Sequence, residues 1–402
     1  MVTTSIAYTD GSNQVWPGEG YDGVVRISYG GYYGTGVLLY DGRAVLTAAH
    51  LFGSSSATEA NIRFETAAGT QTVTTGEITI HPDYDSDNCN GDLAFVWLTA
   101  SAPEEADRYS LYRDSDEIGK SFTMVGYGMS GTGTTGADSN ESGSLRLKAE
   151  NQFDADVGTL TAVLGRTMAW EPTAGTQSIA DFDNGAWAQD ALGRLIDCVN
   201  TGLGENEGLI APGDSGGPAF IDNQLAGIAS YTSSLQLGCI DPDVDDLSNS
   251  SYGEIGFWQR ISNYQQWIDQ SVRAQYPDAP STPEEVQRSV IEGDSGTVYA
   301  YFLLQFSGVR SNPEEWLSVD YVTRNGTAEA GEDYLAVSGT LVLYPDENQA
   351  VIPVEILGDD LAEQDEYFYL DVTNPVGGSF GTGVVQLTAV RTIVNDDGGL
   401  LG

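Results

Sequence analysis

The chain has 402 residues, 40% hydrophobic and 10% aromatic, which is long enough for two or three domains with substantial cores. Its net charge of −43 repels nucleic acid and anionic membranes, and no run approaches the ~18 apolar residues of a membrane-spanning helix. These properties argue against nucleic-acid partners and membrane insertion. A saline habitat, bound divalent cations or an acidic secreted surface would each account for the excess acid. No signal peptide is visible at the N-terminus.

Short β-strands are predicted through residues 20–260. Runs such as GVVRISYG (23–30), DLAFVWL (92–98) and LAGIASY (225–231) are separated by Gly, Asn and Asp, and helical periodicity is nearly absent. This pattern is typical of an all-β barrel or sandwich. The exception is residues 261–276, whose apolar residues fall on one helical face.

A proline-rich stretch follows this helix and predicts a domain boundary. PDAPSTPEE (277–285) has three Pro in seven residues, which favours a helix stop and a stiff linker. β patterning then resumes in a segment without Lys or His. We therefore expect domains at 1–276 and 286–398, joined by the linker 277–285.

The stretch APGDSGGPAF (211–220) surrounds Ser215 with small residues. A serine nucleophile needs a neighbouring base and donors for the oxyanion, whereas the alternative is an ordinary Gly-rich loop. His50, at the end of VLTAAH, is the better candidate base, because the preceding alanines leave room around its ring. His81, in IHPDY, is expected to have a packing or loop role. Asp92 opens an apolar strand, where a carboxylate could orient the base.

The motifs TAAH, DLAF and GDSGGP, in this order, resemble those of trypsin-like (chymotrypsin-fold) serine proteases over about residues 20–276. The resemblance implies two six-stranded β-barrels with a C-terminal helix. It implies a serine endopeptidase in which Ser215 is the nucleophile, His50 the general base and acid, and Asp92 the orienting carboxylate. The backbone N–H groups of Gly213 and Ser215 would form the oxyanion hole. Glycines 216 and 217 would let the turn pass close to substrate.

The same resemblance assigns substrate contacts to Leu209, Ser230, Tyr231, Thr232 and Gly256. Ser230 would bond the triad carboxylate and begin an edge to which a peptide adds as a β-strand. Leu209 would form the base of the specificity pocket and favour uncharged, apolar side chains. Because Glu207 lies close in sequence, a basic preference remains open.

Some features depart from the family pattern. The disulfide that normally flanks the catalytic histidine is missing. Because Cys198 and Cys239 bracket the GDSGGP turn of the family pattern, we expect a disulfide between them, with Cys89 free. Residues 128–145 and 170–190 are expected to be surface insertions. Activation could follow cleavage before Ile6, or the enzyme could be constitutively active.

The second domain resembles a Calx-β domain. The matching pieces include VIEGD (290–294), VDYVTRNGTAEAGEDY (319–334) and TIVNDD (392–397). The resemblance implies an immunoglobulin-like sandwich. Ca²⁺ prefers several carboxylates on flexible loops, and acids cluster where the predicted strands end. The candidate ligands are Glu292, Asp333, Asp359, Asp360, Glu363, Asp396 and Asp397. In the alternative interpretation these acids are merely solvated.

Together these features predict a secreted, calcium-responsive serine endopeptidase that acts as a monomer on protein or peptide substrates. Catalysis itself would need no cofactor. One alternative is an inactive protease domain that serves as an adhesion or binding module. Another is an esterase of unrelated fold, which would require a GxSxG turn leading into a helix.

Overall fold

The structure, a computed structural model, describes residues 2–53, 57–142 and 145–397. The chain divides into two compact units, Met1–Gln265 (unit 1) and Gln266–Gly402 (unit 2). Residue 1, where the first predicted domain begins, and residue 398, where the second ends, lie outside the described residues. So do residues 143–144 of the predicted insertion.

Unit 1 is built mainly from strands, as predicted. They are β1 (Val2–Thr4), β2 (Val24–Tyr29), β3 (Tyr32–Leu38), β4 (Ala44–Thr47), β5 (Ala60–Thr66), β6 (Gly69–Thr75), β7 (Ile78–Ile80), β8 (Ala94–Trp97), β9 (Ser121–Gly126), β10 (Met129–Thr132), β11 (Gly136–Ser142), β12 (Leu147–Gln152), β13 (Ala155–Asp156), β14 (Gln177–Asp181), β15 (Gly208–Ile210), β16 (Pro218–Ile221), β17 (Gln224–Ser233) and β18 (Ile255–Arg260).

Helices are few and short. They are α1 (Val157–Leu164), α2 (Ala191–Ile196) and α3 (Ile261–Ala274), with 3₁₀ turns at Ala49–Phe52, Gly165–Thr167, Gly204–Asn206 and Pro283–Glu285. Helix α3 begins in unit 1 and ends in unit 2. No helix among the described residues is long and apolar enough to cross a membrane.

Two antiparallel sheets dominate unit 1, with strand orders β6-β5-β2-β3-β4-β8-β7 and β12-β9-β16-β17-β18-β14-β13. Each therefore has seven strands, where six were expected. Each sheet carries its own apolar core, centred on residues such as Phe64 and Val96 in the first and Trp258 and Phe153 in the second. The residues of strand β5 alternate between buried and more exposed positions, which shows how one face of a strand contributes to the core.

The prediction that residues 128–145 form a surface insertion is partly wrong. Its residues form β10 and β11 in a third sheet, with order β11-β10-β1-β15. Strand β1 pairs in parallel with β10 and antiparallel with β15. Backbone hydrogen bonds to neighbouring strands stabilise an extended conformation in this segment, which its Gly- and Thr-rich sequence does not favour by itself. The segment 170–190 likewise contains β14, an interior strand of the second sheet.

The strands of unit 2 are β19 (Ser289–Ile291), β20 (Gly296–Gln305), β21 (Leu317–Asn325), β22 (Ser338–Leu343), β23 (Gln349–Gly358), β24 (Glu366–Val376) and β25 (Gln386–Val394). They form a five-stranded sheet, β19-β25-β24-β21-β22, and a pair, β20-β23. One apolar core joins both sheets, including Phe302 and Ile356 from the pair and Phe368 from the larger sheet. The predicted sandwich is confirmed.

Candidate active site

Ser215 lies in a tight turn between β15 and β16. Gly213 and Gly216 have φ angles of +97° and +82°, a region that side-chain-bearing residues rarely adopt. A Cβ on Gly216 would lie 2.0 Å from Thr47 Oγ1 and 2.2 Å from the carbonyl oxygen of Thr35. This glycine therefore lets the turn approach the protein's own first sheet, a role that sequence reasoning did not assign to it.

The Ser215 hydroxyl meets the imidazole of His50. The Ser215 Oγ and His50 Nε2 atoms are 2.8 Å apart. His50 belongs to the 3₁₀ turn that follows β4, so the first sheet supplies the base and the turn before β16 supplies the hydroxyl. The tertiary fold thus brings together two groups that are 165 positions apart in the chain.

Asp92 holds the other side of the same imidazole. Its Oδ2 atom is 2.7 Å from His50 Nδ1, and its Oδ1 atom accepts the backbone N–H of His50 at 2.9 Å. The hydroxyl of Ser230 also donates to Asp92 Oδ2. Asp92 is only 2% exposed, and these three donors replace the water that burial removes.

The electrostatics of the pair favour a protonatable His50. Burial lowers the pKa of His50, but the hydrogen bond and the charge of Asp92 outweigh it, so the pKa lies above its usual value. With Nδ1–H directed at Asp92, Nε2 is free to accept the Ser215 proton. The arrangement can therefore perform general-base catalysis on the hydroxyl.

The turn also presents two unused donors. The backbone N–H groups of Gly213 and Ser215 donate to no protein atom among the described residues. The carboxylate of the intervening Asp214 is buried and accepts the N–H groups of Gly128 and Ala211, at 2.8 and 2.9 Å. Burial raises the pKa of Asp214 to about 6, and the Ala211 hydrogen bond opposes this rise. These contacts fix the turn that carries both donors.

Strand β17 has an open edge beside this turn. It pairs with β16 only as far as Ile228, whereas its pairing with β18 continues through Tyr231, Thr232 and Ser233. Among the described residues, the other side of this last segment has no strand partner. An extended peptide could therefore add there, as was predicted for Tyr231 and Thr232.

The predicted pocket residues Leu209, Thr232 and Gly256 come together. Thr232 is paired with Gly256, and a Cβ on Gly256 would lie 2.9 Å from Leu209 Cδ1 and 2.6 Å from the ring of Trp258. Leu209 is fully buried in the core of the second sheet. Leu209 therefore lies beneath the predicted pocket and contributes no charge to it.

Glu207, the possible source of a basic preference, points elsewhere. Its Oε1 atom accepts the N–H of Asp183 at 2.7 Å, and its Oε2 atom accepts the N–H of Leu203 at 2.5 Å. The residue is 1% exposed, and burial raises its pKa to about 7. Both oxygens are thus used inside the protein.

A cleft of about 160 Å³ adjoins the site and is lined by His50, Tyr84, Ser86, Cys89, Asp92, Ser230 and Tyr231. The Cys89 carbonyl accepts the side-chain amides of Gln177 and Gln259, at 2.8 and 2.9 Å. The indole of Trp170 donates to the Tyr231 hydroxyl at 3.0 Å. Sequence reasoning missed most of this cleft wall. Glutamines at interior strand positions were the available signal, since a buried amide needs a specific partner.

The expected disulfide between Cys198 and Cys239 is not formed, and all three cysteines of the chain are free thiols. Cys198 is half-buried just after α2, whereas Cys239 is exposed in the turn Leu237–Ile240. The two positions bracket the Ser215 turn in sequence, but different elements position them. Burial, followed by the charges of nearby aspartates, raises the pKa of Cys89 to about 11.

His81 has the packing role expected of it. It is 7% exposed, and its Nδ1 atom accepts the N–H of Asp83 at 3.1 Å. Its ring contacts Tyr264 edge-on, with the centroids 5.1 Å apart.

Five of the seven predicted acids of unit 2, together with Glu366, form two groups: Glu292, Asp396 and Asp397, and Asp333, Glu363 and Glu366. Within each group the carboxylate oxygens lie within 4.8 Å of one another, whereas Asp359 and Asp360 belong to neither group. Asp359 is among the charges that, after burial, raise the pKa of Glu292 to about 7. The charges of Asp359 and Asp360 also help to raise the pKa of Asp397, for which burial is the main cause. Sequence reasoning missed Glu366, at the start of β24.

Comparisons with known proteins agree with the two-unit architecture. A family model described as Trypsin matches residues 12–169, and one described as Calx-beta domain matches residues 305–397. The first match includes His50 and Asp92, while Ser215 lies beyond it. Unit 1 thus contains a trypsin-like domain, and unit 2 contains a Calx-beta domain.

Sodium/calcium exchanger 2 of Rattus norvegicus and of Homo sapiens are each 39% identical over 92 residues, 20% of this chain and 10% of each relative. The sodium/calcium exchanger Calx of Drosophila melanogaster is 34% identical over 88 residues, 22% of this chain and 9% of the relative. The chain therefore spans about a tenth of the length of these relatives. A solved structure of neuropsin, described as a serine protease expressed in the limbic system of mouse brain, covers 65% of this chain and 98% of its own, with 19% identity and a TM-score of 0.46.

Proposed function

We propose that the protein is a secreted serine endopeptidase that hydrolyses peptide bonds through an acyl-enzyme. The observation that carries this proposal is the unbroken chain of contacts from Asp92 through His50 to Ser215, with separations of 2.7 and 2.8 Å. A binding module without activity would have no need for this arrangement. The match to the Trypsin family model supports the same class of reaction.

We propose one step of the reaction for each of these residues. His50 Nε2 takes the hydroxyl proton as Ser215 Oγ attacks the peptide carbonyl, and Asp92 stabilises the imidazolium that results. The N–H groups of Gly213 and Ser215 donate to the oxyanion of the tetrahedral intermediate. His50 then returns the proton to the leaving amine, and a water molecule activated by the same base releases the acyl group.

We propose that protein or peptide substrates bind as a strand along the open edge of β17, with Tyr231 and Thr232 as partners. A preference for uncharged, apolar side chains at the cleaved bond is supported by Leu209, which offers no charge. The use of both Glu207 oxygens by backbone N–H groups argues against a basic preference. Ser230 would serve both the peptide edge and Asp92.

We further propose that unit 2 binds Ca²⁺ through the two acidic groups described above, and that Asp359 and Asp360, whose charges act on the first group, contribute further ligands. The residues fit such an ion, because Oδ2 of Asp397 is buried without a hydrogen-bond partner. Its neighbours Glu292 and Asp396 supply further oxygens, the ligand type that Ca²⁺ prefers. Bound calcium would supply positive charge to these carboxylates and stabilise unit 2, while catalysis would use only residues of unit 1.

The remaining parts of the proposal concern organisation. We place the protease domain at 1–276, the linker at 277–285 and the Calx-beta domain at 286–398, and we propose that the enzyme acts as a monomer outside the cell. Extracellular calcium sites have dissociation constants of about 10⁻⁴–10⁻³ M, a range that suits exposed carboxylate loops.

A fluorophosphonate probe tests the catalytic proposal. The probe should modify Ser215 in the full-length chain, as mapped by peptide mass spectrometry, and Ser215→Ala should abolish both labelling and peptidase activity. The control Ser233→Ala changes a serine on the open edge of β17 and should still be labelled. A correctly folded protein that remains unlabelled at Ser215 would instead favour the adhesion or binding module.

A further inference from the structure

A second group of carboxylates, far more buried than those of unit 2, lies in unit 1. Asp181 ends β14, Asp183 follows two residues later, and Asp190 begins helix α2. One carboxylate oxygen from each lies within 4.8 Å of the others. The three residues are 1%, 2% and 0% exposed. Asp154, just before β13, is close enough that its charge raises the pKa values of Asp181 and Asp183.

The carboxylates are oriented by the protein but only half satisfied. Asp181 Oδ2 accepts the N–H of Leu192 at 2.7 Å, and Asp190 Oδ1 accepts the N–H of Gly193 at 2.7 Å. Asp154 Oδ1 accepts the Asn200 amide at 2.8 Å. The opposite oxygens, together with Oδ1 of Asp183, are buried and have no hydrogen-bond partner among the described residues.

The described part of the chain gives this group no compensating cation. Burial raises the pKa of Asp190 and the charge of Arg194 opposes this rise, but Arg194 Nη1 donates to the carbonyl oxygens of Ala188 and Asp241 and not to a carboxylate of the described residues. No ion pair of the described residues includes any of the four aspartates. Burial and the neighbouring acids raise the pKa of Asp183 to about 9. Buried carboxylates without protein donors require either protons or a bound cation.

We propose that Asp181, Asp183 and Asp190 bind one Ca²⁺ ion in unit 1. All the available ligand atoms are carboxylate oxygens, which suits a hard cation and excludes a site of zinc type. Ca²⁺–O distances are about 2.4 Å, so two ligands on opposite sides of one ion are about 4.8 Å apart. The three oxygens satisfy this limit. Mg²⁺ usually keeps several waters and takes only one or two carboxylates, so three carboxylates favour Ca²⁺.

The ion would link the end of β14 to the start of α2. Between them lie residues 184–189, which are exposed apart from the half-buried Gln189. Because Leu192 and Gly193 donate to the ligand carboxylates themselves, opening of this segment would disturb the ion. The predicted surface insertion 170–190 therefore contains all three principal ligands of a structural cation site.

Calcium stoichiometry provides the first test, in the full-length chain carrying Ser215→Ala so that self-cleavage cannot interfere. Asp359→Asn and Asp360→Asn are added to weaken the site proposed in unit 2. Asp183→Asn should lower the number of Ca²⁺ ions bound per chain by one in equilibrium dialysis with ⁴⁵Ca²⁺. The side chain of Asp183 accepts no hydrogen bond from the described residues, so asparagine should fit. The control Glu205→Gln removes an exposed charge nearby and should leave the number unchanged.

Hydrogen exchange provides a second test that needs no substitution in the cluster. In the same Ser215→Ala chain, the amides of Leu192 and Gly193 should exchange about 100-fold more slowly at a calcium concentration of 100 times Kd than in chelator. Cleavage of residues 184–189 by an added protease should slow in parallel. Equal exchange with and without calcium would overturn the proposal, and so would undiminished stoichiometry in Asp183→Asn. The cluster would then be a set of carboxyls that share protons.

Discussion

Unit 1 contains two sites with similarly buried carboxylates: Asp92, and the three residues Asp181, Asp183 and Asp190, here called the Asp181–Asp190 group. The two sites differ in the hydrogen-bond donors around them. Asp92 accepts two hydrogen bonds from His50 and one from Ser230, so both of its oxygens are satisfied. Each residue of the Asp181–Asp190 group has an oxygen without a hydrogen-bond partner in the described part of the chain. Their exposures differ by no more than two percentage points, so burial does not distinguish the two sites.

The difference shows how a fold can keep buried negative charge. At Asp92 the protein supplies the donors, and one of them is an imidazole that becomes a cation during the proposed reaction. At the Asp181–Asp190 group the protein supplies acceptors that face one another, which costs free energy unless protons or a metal ion intervene. Carboxylates with protein donors thus suit catalysis, whereas those without them suit cation binding.

The largest expected effect comes from Asp92→Asn. The amide would no longer fix the His50 tautomer or stabilise the imidazolium, and kcat should fall by about 10⁴-fold. Peptidase assays would measure this fall, with Asp83→Asn, an exposed aspartate in the preceding loop, as the control. A loss of less than tenfold would mean that Asp92 orients the histidine less than its contacts indicate.

Calcium removal should have the next largest effect on unit 2. The acids of this unit are more exposed than the Asp181–Asp190 group, and a bound ion would stabilise the folded state by about 2.7 kcal/mol at 100 times Kd. Amide exchange in β24 should slow correspondingly in calcium. Asp359→Asn with Asp360→Asn should erase most of the difference, whereas the exposed control Glu314→Gln should preserve it. Identical β24 exchange in calcium and chelator would leave these acids as solvated surface charge.

Ser230→Ala removes one of the three hydrogen-bond donors of Asp92 and should have a smaller effect than Asp92→Asn. It removes one hydrogen bond to Oδ2 and leaves both contacts with His50, so kcat should fall by about tenfold, equivalent to about 1.4 kcal/mol. Ser233→Ala is the matched control on the same strand, because Ser233 has no contact with Asp92. If both variants retained full activity, the third donor would be dispensable.

The smallest expected effect is a shift in pH dependence. Neutral His50 is the proposed base, so kcat/KM should fall as the pH drops through the pKa of this histidine. Asp92 holds this pKa above the usual value of about 6.5, and the acid limb of the profile should lie correspondingly higher. In Asp92→Asn the limb should move to lower pH. A limb at the same pH in both proteins would show that another group controls it.

Sequence reasoning reached the residues of the catalytic site because each has a local signature. GDSGGP, TAAH and DLAF are short motifs, and the structure brings Ser215, His50 and Asp92 into contact. The short apolar runs separated by turn residues likewise predicted the β class of both units. The cleft beside the site was mostly missed, because Tyr84 and Cys89 lie in loops whose path depends on distant partners.

Three features were decided only by the tertiary structure. Residues 129–142 contain strands because β1 pairs with β10 and β10 pairs with β11, although their composition is that of a loop. Cys198 and Cys239 are free thiols, and the sequence could not show this because order along the chain does not specify the distance between two sulfur atoms. The Asp181–Asp190 group forms where a strand end meets a helix start, and the sequence shows there only ordinary acidic loop residues. The sequence alone determined the reactive groups and the strand pattern, since these depend on side-chain chemistry and local periodicity. Folding decided which carboxylates lost water and what replaced it, since desolvation depends on neighbours from the whole chain.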